Sequence, residues 1–157
     1  RKLKMAKRVS QVSIWKAVAK KLKEEYKCTV YSDEVLDEFA KPCFFIKFLM
    51  NSELQTKNFI KRNLNIIITY FPEDKNKDEE HYLDVFDRFL LLFQMGFPVG
   101  DRYLHVSDIN EDRVGAEHDI LQIVMDITYM DTTGRIESMK EREMMGDVRF
   151  VVDMEDT

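Results

Sequence analysis

Two apolar runs set the pattern of the chain: KPCFFIKFLM over residues 41–50 and KNFIKRNLNIIITYFP over residues 57–72. Both are long apolar runs rich in Phe and Ile and bracketed by proline, which predicts a pair of central strands. In the second run Leu64, Ile66, Ile68 and Tyr70 share a face opposite Lys61, Asn63, Asn65 and Thr69. In the first, Phe44, Ile46, Phe48 and Met50 oppose Cys43, Phe45, Lys47 and Leu49. Only pairings that keep both apolar sets on one side are allowed, because neighbouring side chains alternate. The register expected is Phe44 opposite Ile68, Ile46 opposite Ile66 and Phe48 opposite Leu64. It leaves a tip of roughly nine residues around Ser52–Ile60, longer than a usual hairpin loop. That tip carries Leu54, Phe59 and Ile60 outward.

On either side of the hairpin the period changes. Val12, Trp15, Val18, Leu22 and Tyr26 recur every three or four residues and predict a helix from about Val9 to Tyr26, capped by Ser10 or Ser13. Cys28–Tyr31 reads as a short edge strand, and residues 32–39 as a helical turn or loop; Pro42 holds Lys41 extended at the strand entry. Asn76 and Glu79 have the spacing of a capping pair before a second helix that runs to about Met95 and stops at Gly96. Its end, Leu90–Phe93, is apolar all round and predicts cover on several sides. Arg102–Asp108 and Ile120–Met130 read as two more strands. Asn110–Arg113 and Gly115 suit the turn between them, or the extension of a strand. Asp131–Gly134 reads as a turn. In the tail, Arg135–Met145 suits a short helix and Asp147–Asp153 a strand.

This order predicts an α+β fold: one mainly antiparallel or mixed sheet of four to five strands with helices packed on one face. The other face keeps Phe45 and Leu49, with Ile67 beside Phe45, and predicts cover by the tail or by another subunit. The chain divides into a basic extension at residues 1–8, an α+β body at 9–134 and a tail at 135–157. It opens on Arg1, so the extension reads as partly a cloning or truncation remnant, with Met5 a candidate natural start.

Charge changes the picture at one end. The net charge of −5 combines +8 over residues 1–27, where ten Lys and Arg meet only Glu24 and Glu25, with −13 over the rest. A basic arm suggests nucleic acid or an acidic surface. This one lacks interleaved aromatics, and Lys16, Lys20, Lys23 and Lys27 fall along one helix face, which favours a solvated face. No run approaches the roughly 20 apolar residues of a membrane span. Cys28 and Cys43 fit no metal spacing and read as reduced, partly buried thiols, a usage that suits the cytoplasm.

Catalytic chemistry finds little support. His81, His105 and His118 are scattered, the five glycines form no phosphate-binding loop, and no serine sits in a nucleophile turn. The acidic stretches 33–38 and 73–80 read as caps and solvated faces ahead of a divalent-ion site. The expectation is a non-enzyme without cofactor or metal.

The run VYSDEVLDEFAKPCFFI (residues 30–46) and the strand ending ITYFP (residues 68–72) resemble the tail terminator (tail completion) proteins of long-tailed bacteriophages and prophages. Ile14 and Leu22 in the first helix, Tyr31 and Phe39 belong to the same likeness. The resemblance implies a structural virion protein, a homo-oligomeric ring that is hexameric in the better-known relatives. Such a ring caps the head-proximal end of the tail tube, ends polymerisation and meets the neck proteins, while DNA passes through it without specific binding. It implies residence at the tail–neck junction, after assembly in the host cytoplasm, and no contact with a membrane. Leu54, Phe59 and Ile60 at the tip, with Phe45, Leu49 and Ile67 on the sheet, are then the expected subunit contacts. A head-closure or connector protein is the neighbouring alternative; a nucleic-acid-binding regulator and a small metal-dependent hydrolase are the remoter ones.

Overall fold

The computed structural model describes residues 8–32 and 39–134. Helix α1 (Gln11–Tyr26) starts where the Ser10 hydroxyl accepts the Ser13 N–H at 3.0 Å. It ends at Lys27, whose left-handed conformation lets its N–H donate to the Lys23 carbonyl at 3.0 Å. Ile14, Val18, Ala19 and Leu22 form its buried stripe. Val12, expected on that stripe, is 62% exposed. Six residues at about 100° each place it roughly 120° away from Val18, and Ile14 takes the core position instead.

Five strands make the main sheet, in the order β1 (Thr29–Ser32), β2 (Cys43–Leu54), β3 (Phe59–Phe71), β7 (Ile120–Thr132) and β6 (Val106–Val114). β1 pairs with β2 in parallel and the other pairings are antiparallel, so the sheet is mixed. The faces fall as the alternation predicts, but the β2–β3 register is two residues further along. Phe44 stands opposite Tyr70, Ile46 opposite Ile68 and Phe48 opposite Ile66. A shift of two keeps every side chain on its face and sets the Phe44 and Tyr70 rings 4.8 Å apart. Arg62 then stands between Ser52 and the buried Tyr129, on the same face as Leu64, with its Nε buried and without a hydrogen-bond partner among the described residues. The ladder continues to Leu54–Ile60, so the tip shrinks to Gln55–Asn58, tied by the Thr56 hydroxyl accepting the Asn58 and Phe59 N–H groups.

Helix α2 (Glu79–Phe93) buries Tyr82, Val85, Phe89 and Phe93. The capping pair expected from Asn76 and Glu79 does not form. Asn76 belongs to a 3-10 turn (Asp74–Asn76), Asp78 takes the cap position, and the Arg113 guanidinium binds Glu79 through both carboxylate oxygens at 2.8 and 3.1 Å. That ion pair holds the Glu79 carboxyl below its usual pKa. The cover expected over Leu90–Phe93 is one-sided: Phe93 is buried, while Leu91 is 79% exposed and Met95 beyond it 74%.

After Gly96 the chain forms a small hairpin, β4 (Phe97–Val99) with β5 (Arg102–Leu104), before entering β6. The stretch read as one strand over Arg102–Asp108 therefore divides at His105. Asn110–Arg113, for which turn and strand were both open, lies within β6, and the turn falls at residues 115–119. Gly96 has a φ of +128°, and a Cβ there would run into the Leu104 carbonyl. Gly96→Ala is expected to cost about 1–3 kcal/mol, read as a lower urea midpoint at unchanged slope.

The helices cover one face of the sheet. Phe44, Ile46, Ile66, Ile68, Ile123 and Met125 meet Val18, Leu22, Val85 and Phe89 in one buried cluster. Tyr26 joins the two helices, donating its hydroxyl to the Val85 carbonyl at 2.7 Å. The readings made for residues 33–38 and for the tail lie outside the described residues.

Candidate assembly surfaces

The sequence singles out the β2–β3 hairpin, and its far half is the least enclosed part of the sheet. β1 pairs with β2 as far as Ser32 opposite Ile46, and β3 runs beside β2 to Leu54 opposite Ile60. At the end of this ribbon Leu54 is 67% exposed, Phe59 51% exposed and Ile60 half-buried. The ladder separates them. Leu54 stands opposite Ile60, on the helix-bearing face; Phe59 stands opposite Thr132, on the face bare of helices among the described residues, where Met130 is also exposed. Leu54 and Phe59 therefore lie on opposite sides of the ribbon and are two separate candidate contacts.

Across the bare face the other expected residues are not equivalent. Phe45 is half-buried in an aromatic cluster, its ring 5.3 Å from Tyr31, 5.0 Å from Phe39 and 5.4 Å from Phe71. Cover for Phe45 thus comes from its own chain. Ile67 lies opposite Lys47 and Val124 rather than beside Phe45, because of the register shift. Leu49 remains half-exposed, opposite Asn65. Towards the tip this face turns polar: Asn65 donates to Asp126, Thr128 donates to Asn63 at 3.1 Å, and Asn63 donates to Glu53 at 3.3 Å.

Beneath the hairpin lies a polar anchor that the sequence reading assigned to a turn. Asp131 is 3% exposed and ends the core-facing series of β7. Its carboxylate accepts the Val9 N–H at 3.0 Å and the Thr132 N–H at 2.9 Å, and pairs with Arg102 at 3.4 Å. Arg102 also donates to the Met130 carbonyl at 2.7 Å and lies over the Tyr129 ring. One carboxylate thus ties the entry to α1, the β4–β5 hairpin and β7 together beside Ile60, at the tip end of the exposed ribbon. The signal was present in the alternation Ile123, Met125, Ile127, Tyr129, Asp131, which continues past the point where composition suggests a turn.

No reactive constellation accompanies these surfaces. His81 shares a 2.8 Å hydrogen bond with the Tyr70 hydroxyl, whose pKa burial pushes up to about 12. Burial likewise raises the Cys28 and Cys43 thiols to about 11, away from the reactive thiolate. Among the described residues no three His, Cys, Asp or Glu side chains gather as metal ligands, and no helix is long and apolar enough to cross a membrane. What these surfaces offer is contact: exposed apolar side chains on an extended ribbon, held by a buried polar anchor. A family model described as phage tail terminator protein matches residues 13–155. No curated protein matches the chain.

Proposed function

The chain belongs to the phage tail terminator family, and from that premise we propose that it forms a ring on the head-proximal end of the tail tube, ends polymerisation there and joins the tail to the neck. The family match over residues 13–155 carries this reading. The hairpin supports it, because a ring needs a heterologous contact in which one patch meets a different patch on the next subunit. Leu54 and Ile60 on one side of the ribbon and Phe59 on the other supply two apolar contacts that a lone subunit leaves in water. Leu49 and Ile67, with the accessible part of Phe45, extend the contact along the bare face. Six copies is the expected number. The partners are further copies of the chain, the tube protein and a neck protein. The acidity of the chain beyond residue 27 suits a channel through which DNA slides without sticking, since like charge disfavours phosphate contact.

Loss of the protein should leave overlong tails in electron micrographs. Tails of normal length beside heads that leak DNA would instead indicate a head-closure role and overturn the reading. Replacing Leu54 and Phe59 together with Ser should leave the thermal melt within a few degrees of wild type while weakening ring formation on the order of tenfold or more. Unchanged assembly of that variant, followed by mass photometry with tube protein present, would remove the hairpin tip from the interface.

A further inference from the structure

The subunit is electrically polarised from edge to edge. At one edge α1 lies over β1 and β2, and Lys16, Lys20, Lys23 and Lys27 are exposed along it. Against them stands a 4.0 Å pair within the helix, Lys20 with Glu24. At the opposite edge is β6, with Asp108, Glu111 and Asp112 exposed and Glu117 in the turn that follows. The cation of that strand, Arg113, is already engaged by Glu79. α2 packs beside β6 and adds exposed Asp87, close to Glu111. These two flanks lie on opposite sides of one sheet, so they cannot neutralise each other within a subunit.

We propose that the basic flank of one copy docks against the acidic flank of a second copy, head to tail. The inference rests on the ring reading and assigns its contact surfaces. The dimensions agree: Lys16 to Lys27 spans eleven residues of helix, roughly 16 Å, and Asp108 to Asp112 four residues of strand, roughly 13 Å. Trp15 gives the basic flank an apolar floor, being half-buried beside a groove of about 270 Å³ bounded by Lys16, Ala19, Lys20, Lys23 and Glu24. An aromatic centre within a polar rim is the usual anatomy of a protein interface. Among the described residues Trp15 is the one aromatic lining the groove, which favours an acidic protein surface over single-stranded nucleic acid. β2 borders the same flank, so the hairpin and the lysine row reach the same neighbour. A contact whose two halves sit on opposite edges repeats from copy to copy and closes into a ring when the rotation allows.

Complementation tests this. One variant carries Lys16→Glu, Lys20→Glu and Lys23→Glu, which exchanges good helix formers for good helix formers; the other carries Asp108→Lys and Asp112→Lys. Circular dichroism melts verify folding, and sedimentation velocity with tube protein present reads assembly at about 50 mM and about 500 mM salt. Wild type should assemble more strongly at the lower salt. Each variant alone should assemble on the order of tenfold more weakly, and an equimolar mixture of the two should recover, because each then offers the flank the other needs. Either variant assembling like wild type would overturn the docking while leaving the ring reading intact. So would a mixture no better than its parts, or loss of duplex DNA retention by the lysine variant with assembly unchanged. Wild type that never assembles with tube protein would remove both.

Discussion

Ile66→Asp should abolish the native fold. Ile66 is fully buried on β3, the middle strand of five, with Phe48 on one side and Met125 on the other. Removing its side chain from the core forfeits about 2–4 kcal/mol through lost transfer and the cavity left behind. Burying a carboxylate without a partner adds several kcal/mol, or forces its protonation at comparable cost. Together these approach the whole of a typical domain stability of about 5–15 kcal/mol. The expected result is loss of the cooperative urea transition and of the near-ultraviolet dichroism at neutral pH. Ile66→Val, which keeps shape and polarity, should unfold cooperatively at a cost of about 1 kcal/mol. A cooperative transition for Ile66→Asp near the wild-type midpoint would show that this side of the sheet is not the core.

That core was legible because alternation with a period of two fixes which residues share a face before any partner is known. Leu64, Ile66, Ile68 and Tyr70 are buried together, and so are Ile123, Met125, Ile127 and Tyr129. Register was less legible, since a shift of two preserves every face. It was decided by matters outside the alternation, among them the contact of Phe44 with Tyr70. β6 was obscured by its composition. Asn110, Glu111, Asp112 and Arg113 look like a turn, yet an edge strand tolerates such residues because one side faces water, and charge there discourages unwanted pairing. The proposed assembly surface was legible as the exposed apolar residues Leu54 and Phe59, whereas their lying on two separate faces is shown only by the ladder. The polarised flanks were half visible: the lysine row stood out at helical spacing, whereas its acidic counterpart emerged once β6 was seen to be the far edge.

Asp131→Ala should give the second large effect, for a reason composition hides. The side chain of Asp131 is 1% exposed, and that of its partner Arg102 is 29% exposed. Breaking a buried ion pair by removing one member costs about 3–5 kcal/mol when the other is stranded. Here Arg102 can turn partly to water and keeps its bond to the Met130 carbonyl, which lowers the figure. The Val9 N–H, however, loses its acceptor, and the Thr132 N–H is left without the same carboxylate. About 3 kcal/mol of destabilisation is expected, measured as a lower urea midpoint. Asp131→Asn keeps a carbonyl oxygen for one of these donors and should cost about half as much. Because Val9 leads into α1, hydrogen exchange in the first turn of that helix should accelerate more than exchange in β3. Equal acceleration in both would mean that the carboxylate stabilises the sheet as a whole rather than the docking of the helix entry. A double-mutant cycle with Arg102→Ala separates the ion pair from the backbone bonds: a coupling below about 0.5 kcal/mol would assign nearly all of the effect to the Val9 and Thr132 amides.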